Sequence, residues 1–306
     1  MNTNQRANEL LERNQYEEAL RLFKKAVLES RTVQSLNNLA WIYSNEEDDD
    51  ASALPLVKEA IRMQPASHFP YNLLGEIYGR EQKWKEAIEV LLKAISIQPS
   101  QAAHHNLGAA NYKLGYSEEA AKYFLLAAVE SESDFTMYCH VKCLIEMGHT
   151  GEAKKRLDAF SEVDEEFVGE ADLADMYAEL GCFEEAVDWF EKGWDFYGKQ
   201  TAWVSRFVFS LLKVNNPERA HGIIHQALNE HLAELKNAYD EEVNEDWSES
   251  DKSEYIQKLL DEKKNYEQMF EKISSGFIPP MDFDVFITTS CYLFGCTRHK
   301  HPEYQE

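Results

Sequence analysis

Small apolar residues recur along this chain at intervals of 33 or 34 residues. Apolar or small residues follow four and seven positions after each recurring site, as Phe23 and Ala26 follow Ala19. Residues at i, i+4 and i+7 lie on one face of an α-helix, so every period is predicted to contain one amphipathic helix. The recurring site is an alanine, found at Ala19, Ala53, Ala87, Ala120, Ala153, Ala186 and Ala220.

A second apolar pattern lies about nine residues before each alanine and predicts a second helix in every period. Glycines such as Gly115 and Gly148 stand between the two helices as turn signals. Pro65 and Pro99 stand between periods, where they would stop helices. A two-helix repeat of this length predicts a solenoid, in which each helix pair packs on its neighbours.

In these features the chain resembles the tetratricopeptide-repeat (TPR) family, most clearly in residues 71–99. The resemblance covers about seven repeats over residues 1–232 and weakens where Phe160 and Gly193 replace the second small alanine. It implies an all-α, right-handed α-solenoid of stacked antiparallel helix pairs, in which the first helix of each pair lines a concave groove. Phe160 is too large for a close helix crossing, so we expect irregular packing around it.

Two further segments are predicted beyond the repeats. Residues 233–275 are acidic and helical, and they either cap the solenoid or form a separate hairpin that recruits a second partner. Residues 276–306, here called the tail, begin with a helix break and contain an apolar cluster together with cysteines and histidines. We expect the tail to pack on the side of the solenoid. The alternative is that it lies inside the groove and competes with a ligand.

Composition and charge exclude several classes of function. The net charge of −24 opposes an approach to the phosphates of nucleic acids. The N-terminus has no apolar run typical of a secretory signal, and the longest apolar stretch, residues 285–296, is too short to span a bilayer. Five cysteines at irregular spacings fit a reducing compartment. We therefore expect a cytoplasmic protein that binds neither nucleic acid nor a membrane.

Half of the excess negative charge lies in residues 162–195, here called the acidic belt, which contain thirteen acids and one base. The belt is either a solvated outer face or a docking surface for a basic partner. Asp172 and Asp175 favour the second interpretation, because the repeat register places them on a first helix, facing the groove.

The same register predicts the residues that line the groove. Asparagine amides offer both donors and an acceptor, so a row of them can bind the backbone of an extended peptide, with Trp41 as an anchor. The alternative is that they are ordinary polar surface residues. The predicted groove residues are Asn8, Asn38, Trp41, Asn72, Asn106, Tyr138, Asp172, Asp175 and Arg206.

One subset of the family binds the acidic C-terminus of chaperones through two asparagines and three basic residues. Asn8 and Asn38 match the two asparagines, but the three basic positions are occupied by Asn4, Phe69 and Leu73. The charges that would pair with a terminal carboxylate are therefore missing. We do not expect a chaperone C-terminus as ligand, and a neutral or basic segment suits the groove better.

A possible metal site lies in the tail, where Cys291, Cys296, His299 and His301 supply the donor types of tetrahedral zinc. Their spacing matches no common zinc finger. The alternative is a buried cysteine pair followed by solvated histidines. No other cofactor is expected, and no motif places a nucleophile beside a base and an orienting carboxylate.

These observations predict a non-enzymatic protein–protein interaction module, an adaptor or scaffold that binds a neutral-to-basic peptide or protein segment in its groove. Two alternatives remain open. One is an acidic neutraliser of the antitoxin or immunity type, which would occlude a basic protein surface with the acidic belt. The other is a zinc-binding or enzymatic C-terminal tail.

Overall fold

The computed structural model describes residues 2–131, 134–162, 167–244 and 247–305. Within these ranges it contains fifteen α-helices and no strand. No helix in this part of the chain is long and apolar enough to cross a membrane. The helices are α1 (Thr3–Glu12), α2 (Tyr16–Glu29), α3 (Val33–Asn45), α4 (Asp50–Arg62), α5 (Phe69–Arg80), α6 (Trp84–Ile97), α7 (Gln101–Lys113), α8 (Ser117–Ser131), α9 (Asp134–Glu146), α10 (Thr150–Leu157), α11 (Glu170–Glu179), α12 (Phe183–Gly193), α13 (Thr201–Lys213), α14 (Pro217–Asp240) and α15 (Glu249–Ser274).

Six consecutive pairs of the described helices pack together, which agrees with the predicted all-α solenoid. They are α1 with α2, α3 with α4, α5 with α6 and α7 with α8 within residues 1–147, and α11 with α12 and α13 with α14 within residues 148–284. All the recurring alanines, from Ala19 to Ala220, are fully buried. The helices of a pair approach closely, since a Cβ atom added to Gly108 in α7 would lie 2.6 Å from the Phe124 ring in α8. Small residues are therefore required where the helices cross.

The chain divides into two compact units. Unit 1 comprises Met1–Met147 with Val285–Glu306, and unit 2 comprises Gly148–Asp284. In unit 1, α3 contacts α1 and α5, and α5 contacts α7, so the first helices of successive pairs share one face. In unit 2, α11 contacts α13 in the same way. We call the face that the first helices form in each unit its inner face.

Helix α14 extends across residue 232, where the repeats are predicted to end. It runs without a break from Pro217 to Asp240, because Leu232 stands where two earlier repeats have Pro65 and Pro99, and no proline stops the helix. Helix α10 ends at Leu157, and Phe160 lies outside it. Phe160 is thus not part of the second helix of its repeat, and irregular packing around it stays a prediction.

Helix α15 packs against α13 and α14. It begins after the N-cap Ser248, whose side chain accepts a hydrogen bond from the backbone N–H of Asp251. Tyr266 of α15 is buried and donates its hydroxyl to the carbonyl of Lys199. These contacts favour the capping interpretation over a projecting hairpin, because α15 lies along the last helix pair.

Candidate peptide-binding site

The predicted groove residues all lie on first helices, and most of them are buried. Buried polar side chains need hydrogen-bond partners, so their burial raises the question of what covers them. They are Asn8 in α1, Asn38 and Trp41 in α3, Asn72 in α5, Asn106 in α7, Tyr138 in α9, Asp172 and Asp175 in α11, and Arg206 in α13.

Part of the tail covers the inner face of unit 1. We call residues 286–294 the extended segment, because the carbonyls of residues 286, 288, 290, 292 and 294 accept hydrogen bonds from inner-face side chains. A period of two is typical of an extended chain, in which alternate residues point the same way. The expectation that the tail packs on the side is wrong for this segment, because the polar groups of the inner face hold its backbone.

Two asparagine amides bind the extended segment at two points each. Asn38 donates from Nδ2 to the Phe294 carbonyl at 3.0 Å and accepts the Phe294 N–H at 2.9 Å. Asn106 donates to the Thr288 carbonyl at 2.9 Å and accepts the Thr288 N–H at 2.9 Å. Each amide thus satisfies the backbone of one residue as a neighbouring β-strand would, independently of that residue's side chain.

Further donors on the inner face bind single carbonyls of the extended segment. Each of these donors belongs to α1 or α3 and contacts the C-terminal half of the segment. They are Asn8, which binds the Phe294 carbonyl at 2.8 Å, Asn37, which binds that of Tyr292 at 2.7 Å, and Trp41, which binds that of Ser290 at 2.8 Å.

Asn72 occupies the same register position as Asn38 and Asn106, 34 residues from each. It is fully buried, but its Nδ2 donates to Ser100 Oγ at 3.3 Å and not to the tail. Helix α5 instead contacts the segment one turn further along, through Glu76. Asn72 thus lies on the inner face, as the register predicts, but it does not bind the backbone of the extended segment.

The inner face also accommodates apolar side chains of the extended segment. The ring of Phe286 stacks on Phe135 of α9, with ring centroids 4.6 Å apart. Tyr138 is buried on the same helix, 6.4 Å from the Phe135 ring. Ile287 lies against Gly79, where an added Cβ would be 2.5 Å from Ile287 Cγ1. The missing side chain at Gly79 therefore provides the space that Ile287 fills.

Glu76 is fully buried on α5 and accepts the hydroxyl hydrogen bond of Tyr292 at 2.7 Å. Burial raises the pKa of Glu76 to about 8, although the hydrogen bond from Tyr292 and the charge of Arg80 oppose the shift. The carboxyl group is therefore mostly protonated near neutral pH. Beside it, the ring of Phe69 lies 5.7 Å from that of Tyr292, at a position where the chaperone clamp has a basic residue.

His105 connects α7 with both α9 and the tail. Its Nδ1 lies 3.1 Å from the Thr136 hydroxyl and its Nε2 lies 3.2 Å from the Phe286 carbonyl. The carbonyl can only accept, so the hydrogen-bond network assigns the ring proton to Nε2. Burial lowers the pKa of His105 to about 4, which keeps the ring neutral.

Sequence reasoning missed two residues that hold the C-terminal end of the tail. Glu12 accepts hydrogen bonds from the Thr297 N–H at 2.8 Å and the Thr297 hydroxyl at 2.6 Å. Gln34 accepts the Tyr304 N–H at 3.0 Å. Glu12 ends α1 and Gln34 lies in the first turn of α3, away from the aligned groove positions. No sequence signal identifies them, because their partners depend on the path of the tail.

In unit 2 the inner face carries an ion-pair network around Arg206, which is buried. Its Nε donates to Asp175 at 2.6 Å, and its Nη1 donates to Glu179 at 2.9 Å and to the Pro279 carbonyl at 3.0 Å. Burial raises the pKa of Asp175 to about 6, against the opposing effect of Arg206. Asp175, predicted to pair with a basic ligand, thus has a cationic partner within the chain. Asp172 lies on the same helix.

Two family models match the N-terminal part of the chain. Residues 4–68 match the model described as "Tetratricopeptide repeat", and residues 75–115 match the one described as "TPR repeat". The chain therefore contains tetratricopeptide repeats. Proteins with TPR repeats generally mediate protein–protein interactions. No curated protein matches the sequence significantly.

Two solved structures with TPR-like folds resemble this chain over about three quarters of its length. A tetratricopeptide repeat protein from Parabacteroides merdae ATCC 43184 is 18% identical, with a TM-score of 0.52, over 79% of this chain and 98% of that chain. The Pseudomonas aeruginosa pilF protein is 14% identical, with a TM-score of 0.50, over 74% of this chain and 97% of that chain. At these identities the likeness extends to the fold alone.

The acidic belt follows the TPR repeats matched by the family models. Its residues 163–166 lie outside the described residues. Several of its other acids have cationic partners within the chain, because Glu185 lies 3.1 Å from Lys154 and Glu191 lies 2.6 Å from Arg219. Part of the negative charge of the belt is therefore compensated locally.

Three of the four predicted metal-ligating side chains lie together. The ligand atoms of Cys291, Cys296 and His299, here called the thiol–imidazole cluster, are all within 4.8 Å of one another. Burial raises the pKa of the Cys291 thiol to about 12. His301 is not part of this cluster, and its Nδ1 lies 3.1 Å from the Leu293 carbonyl.

Proposed function

We propose that this chain is a non-enzymatic protein–protein interaction module, whose inner face in unit 1 binds an extended peptide segment. One observation carries the proposal: side chains on three first helices, α1, α3 and α7, hold the backbone of residues 286–294 at every second residue. Backbone hydrogen bonds give affinity for an extended chain, and pockets for alternate side chains give selectivity. The tail is then an internal occupant that a ligand from another protein displaces.

The two ends of the extended segment differ in burial, which suggests how displacement begins. The Phe286 side chain is 56% exposed, whereas Tyr292 and Phe294 are 3% and 2% exposed. Weakly buried contacts open at the lowest free-energy cost. We expect the segment to leave the inner face from the Phe286 end, so an incoming ligand first occupies the face around α7 and α9.

The composition of the tail indicates the chemistry of the ligand. Residues 285–296 contain no charged side chain. The groups that hold their backbone include neutral amides, an indole and a neutral imidazole. We therefore propose a neutral segment with aromatic or β-branched side chains at alternate positions as the ligand. A basic ligand finds less support, because Asp175 is already paired with Arg206.

The test uses the full chain with a protease site inserted between Asp282 and Phe283 and a fluorophore at the C-terminus. After cleavage, release of the tail is followed with excess unlabelled peptide of residues 283–306 as a trap. Each replacement, Asn38→Ala or Asn106→Ala, removes a two-point contact. At about 1 kcal/mol per hydrogen bond, each should speed release by roughly tenfold or more.

Asn72→Ala is the matched control, because Asn72 has the same register and the same residue type but donates to Ser100. Release from this variant should stay within about twofold of the wild type. If Asn38→Ala and Asn106→Ala release the tail no faster than Asn72→Ala, the amides do not hold a peptide backbone and the proposal fails. Urea unfolding of all three uncleaved variants separates weaker docking from a general loss of stability.

A further inference from the structure

The thiol–imidazole cluster has the dimensions of a metal site. Cys296 Sγ lies 3.3 Å from His299 Nδ1, and Cys291 Sγ lies within 4.8 Å of both. In tetrahedral zinc sites the sulfur and nitrogen ligands lie about 2.3 Å and about 2.0 Å from the ion, so that neighbouring ligands are roughly 3.5 to 3.8 Å apart. The three side chains thus need only small movements to reach a common ion.

The backbone holds these ligands together through a tight turn. Gly295 has a φ of +76°, in the left-handed region that favours glycine, and connects buried Phe294 to Cys296. The Gly295 N–H donates to the Pro302 carbonyl at 3.0 Å, which closes the turn. His299 is thereby folded back over Cys296.

We infer that the thiol–imidazole cluster binds a Zn²⁺ ion through Cys291 Sγ, Cys296 Sγ and His299 Nδ1. Each thiol loses its proton to solvent as its sulfur binds the ion, and the two thiolates balance the two charges of zinc. A cavity of about 460 Å³ adjoins the cluster and is lined in part by Glu12 and Arg298. This cavity leaves room for water in the fourth coordination position.

Zinc binding at this site would fix the part of the tail that contacts the inner face most closely. The loop between Cys291 and His299 contains Tyr292 and Phe294, both buried against α3 and α5. A metal ion that closes this loop restricts the tail before it docks. Less conformational freedom is then lost on docking, so the tail binds more tightly. This consequence rests on the proposed function, whereas the metal site itself does not.

The test measures metal directly on the full, uncleaved chain. Protein purified under a thiol reductant is loaded with Zn²⁺, dialysed and analysed for metal, and Co²⁺ is used as a spectroscopic substitute. The wild type should retain equimolar zinc and give the visible bands of tetrahedral cobalt with thiolate ligands. Cys296→Ser and His299→Asn should both lose the metal. His299 is exposed, so its replacement does not disturb the packing.

Cys182→Ser and His301→Asn are the controls, because these residues have the same donor groups but lie outside the cluster. Both should retain zinc. The inference is overturned if the reduced wild type takes up no zinc, if His299→Asn retains it, or if His301→Asn loses it. The inference would also be overturned if Cys291 and Cys296 form a disulfide in the purified protein and reduction of that disulfide does not lead to zinc uptake. None of these readouts depends on release of the tail, so a failure here is distinguishable from a failure of the proposed function.

Discussion

The inner faces of the two units bind the tail with different chemistry. In unit 1, neutral amides such as those of Asn38 and Asn106 pair with the backbone of the extended segment. In unit 2, the guanidinium of Arg206 binds the Pro279 carbonyl while two carboxylates compensate its charge. A neutral amide can exchange its partner for water or for another peptide at a small free-energy cost. A buried ion network cannot lose one member without leaving the others uncompensated.

This difference assigns separate roles to the two regions. Under the proposed function, the amide-lined face serves as a reversible binding surface and the ion network as a permanent structural contact. It also accounts for acids that sequence reasoning interpreted as a docking surface, since Asp175 and Glu179 both pair with Arg206. The following predictions test how far the two regions differ.

Arg206→Met should have the largest effect on stability. The variant leaves Asp175 buried without its cation and the Pro279 carbonyl without its donor. Breaking a buried pair by removing one partner costs about 3 to 5 kcal/mol. Urea unfolding should show this loss, and hydrogen exchange should increase in α11 and α13.

Arg219→Met is the matched control, because Arg219 pairs with Glu191 at 2.6 Å near the surface of the same unit. Both side chains are about one-third exposed, at 32% and 38%. Such a pair contributes at most about 1 kcal/mol. If the two arginine variants lose the same stability, the network around Arg206 is not a buried structural contact and the comparison between the faces fails.

Gly79→Ala should weaken the docking of the tail in unit 1. The added Cβ would lie 2.5 Å from Ile287 Cγ1, so the side chain or the segment must shift. Overpacking of this kind costs about 1 to 3 kcal/mol, which corresponds to a roughly fivefold to hundredfold faster release of the cleaved tail.

Two variants control this prediction. Gly222→Ala, also inside a helix, has ordinary space for the methyl group and should leave release unchanged. In the double variant Gly79→Ala with Ile287→Ala the clash is absent, so release should match that of Ile287→Ala alone. Faster release from the double variant than from Ile287→Ala would mean that Gly79 acts through helix α5 and not through the segment.

The sequence predicted the fold because the alanine period records local geometry. Each of these alanines is fully buried within a helix, where a small side chain is required, so the period is visible without knowledge of distant contacts. The register also placed Asn38, Asn106 and Arg206 on first helices correctly.

The partners of these residues could not be predicted in the same way. Asn38, Asn72 and Asn106 share one register position, yet Asn72 binds Ser100 and the other two bind the tail. The difference depends on the path of residues that lie about 180 or more positions away in the sequence. Hydrophobic periodicity contains no information on such pairings, and for the same reason the tail was expected on the side of the solenoid.

Docking of the tail in unit 1 should weaken as the pH rises from about 6.5 to about 8.5. Burial under Tyr292 raises the pKa of Glu76 from 4.5 to about 8, so the docked state holds a proton that the released state loses. Docking is therefore strongest below the pKa that Glu76 has in the released state, and it weakens as the pH rises toward the pKa that Glu76 has in the docked state. If the pKa of Glu76 returns to its usual value on release, tail release should be roughly 25-fold faster at the higher pH.

Glu76→Gln keeps the acceptor for the Tyr292 hydroxyl but removes the titrating group, so it should abolish this dependence. Arg80 and Asp50 also face Glu76, and they form an ion pair with each other at 2.7 Å. His105 has its pKa lowered to about 4, so it opposes docking only as the pH falls below 6.5, outside the tested window. An equal pH dependence in Glu76→Gln would assign the effect to another group.

Salt should have the smallest effect on unit 1, because the extended segment carries no charge and neutral groups hold it. Screening acts on charged pairs, so release of the cleaved tail should change by less than about twofold between about 0.05 M and about 0.5 M NaCl. The Arg219–Glu191 pair provides an internal reference, since its exposed charges are screened over the same range. Release that accelerates tenfold or more with salt would mean that charge holds the tail, and a basic ligand would then fit the inner face better than a neutral one.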